Sequence, residues 1–123
     1  VLRHDHPLAK QPLINLSALA DQSLVMREDG SGVRHMVMKA FDAIDVRLTD
    51  YLELAGVEGV KQGVRAGLGV GFVSELSLKH ENSELIGVPL KPSLIRMIRI
   101  LLPPLERQSR GAKAFIEQLL ATE

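Results

Sequence analysis

The chain has 123 residues, no cysteine, three Phe, one Tyr and no Trp, and its 15 basic side chains equal its 15 acidic ones. That length suits one domain with a real core and excludes two large ones. Balanced charge and scarce aromatics argue against a nucleic-acid face, and the missing cysteines exclude disulfides, thiol catalysis and cysteine metal sites. No apolar run reaches membrane-spanning length; the stretch 98–104 is interrupted by Arg99 and stopped by Pro103 and Pro104. A cytoplasmic location is expected. The first residues lack Met and a signal-peptide layout and read like the end of a strand, so an excised piece of a longer protein is expected.

In chain order, "HPLAKQP" (6–12) reads as an extended connector, and "LINLSALADQ" as one or two helical turns capped by Ser17. "SLVMRE" (23–28) is a buried strand and "DGSG" (29–32) a turn. A strong amphipathic helix follows, with apolar residues at 33, 36, 37, 40, 41 and 44 and Arg34, His35, Lys39 and Asp42 outside. "VRLTDYLELA" (46–55) reads as a strand. The segment 57–67 reads as a helix burying Val57, Val60 and Val64 and exposing Glu58, Lys61, Gln62 and Arg65. "GVGFVS" (69–74) is a strand, Ser74 the cap of a short helix, and 84–91 and 94–103 two more strands. A final helix capped by Ser109 would bury Ala112, Phe115, Ile116, Leu119 and Leu120. Alternating strands and helices predict an α/β architecture with a mostly parallel sheet covered on both faces.

Glycines 63, 67, 69 and 71 raise the question of a phosphate loop. A dinucleotide loop runs strand, G-x-G-x-x-G, helix. Here the helix comes first and the spacing is G-x-G-x-G, so a nucleotide cofactor is not expected. Gly67 reads as a helix C′ residue, and Gly69 and Gly71 as positions where the strand passes close to its neighbours. "REDGSGVR" (27–34) is the better candidate: a strand feeds a glycine turn and a helix, which is where open α/β sheets bind ligands. Ser31 brings a hydroxyl, Gly32 lets a ligand approach the backbone, and Arg27 and Arg34 can balance an anion. Equally, Ser31 can simply cap its own helix. The helix start near Ala55, Gly56 and Val57 has the same geometry. His4-Asp5-His6 lacks a third metal ligand, so no metal is expected. No nucleophile elbow or acid–base pair emerges, so no enzyme activity and no cofactor are expected.

Several stretches together resemble one family. "HPLA" (6–9), "REDGSGVR" (27–34), "VKQGVRAGLGVGFVSE" (60–75), "LIGVPLK" (85–91) and "SRGAKAFIEQL" recur in this order in LysR-type transcriptional regulators. The resemblance covers nearly the whole chain and falls in the effector-binding domain of that family. It implies a type 2 periplasmic-binding-protein-like α/β fold, with one nearly complete lobe (13–87) and remnants of the other. Residues 1–12 and 88–123 would hold the crossing strands and the first-lobe remnant. It also implies a small-molecule effector, possibly anionic, near Ser31-Gly32 and near Glu53 to Val57. DNA would be read by a winged helix-turn-helix that has no counterpart in these residues, so this chain would make no direct nucleic-acid contact. Its apolar "IRILLPP" edge invites association, so a homo-oligomer is expected. The rival reading is a solute-binding or assembly module of the same fold without a regulatory role.

Overall fold

A computed structural model describes residues 1–121. Three parallel strands form the central sheet in the order β4–β3–β5: β3 (Leu24–Arg27), β4 (Leu52–Leu54) and β5 (Val70–Gly71). The helices α1 (Gly32–Asp42) and α2 (Gly56–Arg65) connect them. Strand alternation sorts the core onto two faces. Leu24, Met26, Val70 and Phe72 pack with Val33, Val37 and Phe41 of α1, where the Phe41 and Phe72 rings meet edge to face at 6.3 Å. On the opposite face Val25 lies under Gly63 of α2, and Gly71 under Val60 and Val64. Burying a side chain such as Phe41 contributes about 1.5–3 kcal/mol, so these few residues dominate the stability of the sheet.

Two glycines are required by this packing. Gly67 (φ +78°) ends α2: its N–H donates to Val64 O and the Leu68 N–H to Gly63 O. These are the paired bonds of a left-handed helix stop. A Cβ on Gly71 would lie 2.6 Å from Val60 Cγ1 and 3.0 Å from Val64 Cγ2. The run is thus a helix stop and a close-packed strand.

Two further pairings flank the sheet. β1 (Leu2–Arg3) pairs antiparallel with β6 (Leu85–Ile86), and β2 (Ile14–Asn15) pairs parallel with β7 (Leu90–Lys91). The single strand expected over 84–91 is therefore two short ones in different pairs, separated by Gly87-Val88-Pro89. The connector at 6–12 is not fully extended. Pro7–Lys10 form a 3-10 turn, capped by His6, whose Nδ1 accepts from the Leu8 N–H. Ser17 lies inside the 3-10 turn Leu16–Leu19, and the cap position belongs to Asn15. Only Leu52–Leu54 of the segment 46–55 pairs as a strand, and only Val70–Gly71 of 69–74. Ser74 precedes a 3-10 turn, Glu75–Leu78, but bonds the Ser77 hydroxyl instead of a backbone N–H.

The largest departures lie in the tail. The strand expected at 94–103 does not form: Ile95, Met97, Ile98, Ile100, Leu101 and Leu102 are all exposed. The last helix, α3 (Arg110–Leu120), is present, and Ser109 Oγ caps it by accepting from the Ala112 N–H at 3.1 Å. Its expected buried face is largely open: Phe115, Leu119 and Leu120 are exposed, and Ala112 and Ile116 are only half-buried. The physical reason is that the segment pairs with none of β4, β3 or β5, so no hydrogen-bond ladder holds it extended. Residues 122 and 123, read with this helix, lie outside the described residues.

Lys61 also departs from expectation. The helical spacing puts it on the solvent face of α2, yet it is only 5% exposed. Its Nζ pairs with Glu58 at 2.6 Å and with Glu81, and donates to Ser77 O. Arg65 pairs with the same Glu81 and accepts at its carbonyl from Arg3 Nη1. Glu58 and then Glu81 raise the Lys61 pKa, and Lys61 is the main cause lowering that of Glu81. A buried ammonium is tolerated because each of its directions finds an oxygen.

Candidate functional site

The carboxyl ends of β3 and β4 lie side by side, with Arg27 in register with Leu54. Each strand leads within a few residues into a helix start, α1 after β3 and α2 after β4. The first amides of a helix have no intrahelical acceptor, and the aligned peptide dipoles favour negative charge there. Both expected helix starts are therefore brought to one edge of the sheet, on adjacent strands.

At α1, Ser31 is the N-cap, and its Oγ accepts from the Arg34 N–H at 3.4 Å. Gly32 follows it, exposed. The capping role of Ser31 is thus present. At α2 the cap position is Ala55, which offers no side-chain oxygen. Glu28 supplies one from the end of β3: its Oε2 accepts from the Gly56 N–H at 3.0 Å. The Arg27 guanidinium grips both oxygens of the same carboxylate, at 2.8 and 2.9 Å. Arg27, and next the Gly56 amide, pull the Glu28 carboxyl down to about 2. Val57 sits half-buried in the first turn of α2.

Arg34 folds back across the strand ends and does not project from α1. Its Nη1 donates to Arg27 O at 3.1 Å and to the Glu53 carboxylate, and its Nη2 donates to the Tyr51 hydroxyl at 2.9 Å. Tyr51 and Glu53 stand two residues apart and so share one side of the β4 segment. Sequence reasoning missed Tyr51, Glu28 and Lys61 as partners, and named Glu53 only as the edge of a matching stretch. One signal was available: a helix beginning at Ala-Gly must take its cap from elsewhere, and Glu28 is the acidic residue ending the neighbouring strand.

His4, Asp5 and His6 do not converge. Asp5 pairs with Arg3, and His6 caps its turn. Among the described residues no group of three or more His, Cys, Asp or Glu is arranged to hold a metal ion, and no helix is long and apolar enough to cross a membrane. A separate, mostly apolar cavity of about 520 Å³ lies between the end of β5, α1 and the segment 93–98.

Residues 1–123 match the LysR substrate binding domain. The RuBisCO operon transcriptional regulator of Acidithiobacillus ferrooxidans is 34% identical over 98% of this chain and 40% of its own length. The activator CmpR of Synechocystis is 36% identical over 66% of the chain and 27% of its own length. The chain thus spans less than half the length of these regulators. The regulatory domain of CcmR from Synechocystis PCC6803, solved in complex with 2-PG, superposes with a TM-score of 0.82 at 30% identity, covering 98% of this chain and 59% of that one. The reduced form of OxyR gives a TM-score of 0.61 at 24% identity over 75% of this chain and 43% of that one, a likeness of fold. The named relatives are transcriptional regulators, and the α/β fold is the periplasmic-binding-protein-like fold of their regulatory domains. This chain belongs to the LysR substrate binding domain family.

Proposed function

We propose that the chain is the effector-sensing part of a LysR-type transcriptional regulator and binds a small anion where α1 and α2 begin. The observation that carries this reading is the pair of helix starts on adjacent strand ends, with Arg27 and Arg34 beside them. Ser31, Gly32 and Arg34 are the main contacts, with Arg27, Ala55, Gly56 and Val57 completing the seat. The first-turn amides left over by the Ser31 and Glu28 caps, together with the helix dipoles, favour an anion there.

Effector binding would favour one arrangement of the domain over another. That shift would change how a winged helix-turn-helix elsewhere in the protein engages DNA, in the cytoplasm. On this reading 13–87 is one lobe, and 1–12 and 88–123 hold the crossing strands and the first-lobe remnant. The antiparallel pairing of Leu2–Arg3 with Leu85–Ile86 supports a crossing where 1–12 meets the return stretch 85–91. The exposed apolar tail supports self-association.

The similarity to the CcmR regulatory domain makes 2-PG the first compound to test. Calorimetric titration should give a saturable heat with 2-PG or another small anionic metabolite, reduced in Ser31→Ala and Arg34→Met. No heat with any of them would overturn the reading.

A further inference from the structure

The arrangement around Arg34 separates what positions the guanidinium from what neutralises it. Two neutral acceptors position it: Arg27 O and the Tyr51 hydroxyl. One carboxylate, Glu53, matches its charge. The Arg34 side chain is 16% exposed and that of Glu53 47%, so the carboxylate is the more solvent-exposed member of the pair. An anion that reaches Arg34 from solvent has to compete with Glu53. Among the described residues the Glu53 carboxylate bonds only Arg34, from the short strand at the edge of the sheet. If Glu53 swings away, Arg34 keeps both neutral acceptors and stays in place.

Arg27 is built differently. Glu28 alone satisfies it, and Glu28 also caps α2. Removing Glu28 would loosen a helix start as well as an ion pair. The two acid–base pairs of this edge therefore have different parts: Arg27–Glu28 is fixed structure, and Arg34–Glu53 is an exchangeable pair.

We propose that Glu53 is an internal competitor, a resident counter-ion that an anionic effector group displaces from Arg34. This rests on the anion seat described under the proposed function and deepens it. The ligand class that follows is a compact anionic group, carboxylate or phosphate, able to take the Glu53 position on a guanidinium already held by Arg27 O and Tyr51. Glu53 thereby sets an affinity threshold that excludes weak anions.

The test is an NMR titration of the full chain with inorganic phosphate, followed at the Gly32 and Gly56 amides. Wild type is compared with Glu53→Gln, which keeps the shape and removes the charge. Asp42→Asn removes one charge at the far end of α1 and controls for net charge. Glu53→Gln should tighten phosphate binding roughly fivefold, the equivalent of one favourable exposed ion pair, while Asp42→Asn stays near wild type. Unchanged or weaker binding in Glu53→Gln, with wild type still binding, would overturn the competitor role and leave the seat standing. An equal gain in Asp42→Asn would overturn it too, since any lost negative charge would then suffice. Silence of both amides in all three proteins would overturn the seat itself and this inference with it.

Discussion

Tyr51 contacts Arg34 through both its polar and its apolar parts: the hydroxyl accepts from Nη2 at 2.9 Å, and the guanidinium carbon lies 5.3 Å from the ring centroid. Tyr51 is the sole tyrosine of a chain without tryptophan. Its emission therefore reports the state of Arg34 without a label. Arg34→Met should shift the Tyr51 emission intensity, whereas Arg47→Met, on the exposed segment before β4, should leave it near wild type. Equal spectra for Arg34→Met and wild type would show that the contact does not persist in solution.

The glycine run makes a prediction about stability. A methyl group at position 71 would meet Val60 and Val64 at well below contact distance. Gly71→Ala should cost about 1–3 kcal/mol, the usual range for overpacking a filled core. Urea denaturation measures it. A loss below about half a kcal/mol would mean that α2 lifts off the sheet easily.

Glu28 gives a pH signature. Its carboxyl is held at about 2 against an ordinary 4.5. The folded value is the lower one, so the charged form stabilises the fold fully above about pH 4.5. That contribution is lost as pH falls from about 4.5 towards 2. Glu28→Gln should flatten the loss of stability in that window and lower stability at neutral pH. Identical acid-denaturation curves for the two proteins would contradict the cap on α2.

The buried Lys61 predicts non-additivity. Lys61→Met leaves Glu58 and Glu81 facing an apolar side chain and should lower the urea midpoint. Glu81→Leu should cost less in the Lys61→Met background than alone, because its Lys61 partner is already gone while its Arg65 partner is lost in both. Additive losses would show that the two side chains do not act as a pair.

What was readable in the sequence follows from how local each signal is. The α1 periodicity, the Gly67 stop and the Ser31 and Ser109 caps depend on a few neighbouring residues, and all are present. The burial of β3 was readable because Leu24, Val25 and Met26 form a continuous apolar run, as a strand covered on both faces requires. Lys61 was misplaced because its partner Glu81 lies 20 residues along the chain, and helical periodicity says nothing about such a partner. Periodicity puts Arg34 outside α1 and shows none of its partners for the same reason: Tyr51 and Glu53 reach it only once β4 pairs with β3. The 94–103 segment failed more simply. It has the residues of a strand, but strand formation needs a partner, and composition cannot supply one.

The exposed tail carries a prediction of its own. Ile95, Ile98, Leu101, Phe115 and Leu120 leave apolar surface uncovered along one stretch of chain. Light scattering across a concentration series should show association, weakened by Leu101→Glu with Phe115→Glu. A monomer at every concentration would contradict a self-associating tail.

The most direct measurement is amide shift mapping of the full chain with 2-PG. The account predicts saturable shifts centred on Gly32, Val33, Gly56 and Val57, with Tyr51 emission changing over the same concentrations. Shifts confined to the apolar cavity at the end of β5, or no shifts at any concentration, would contradict an anion seat at the two helix starts.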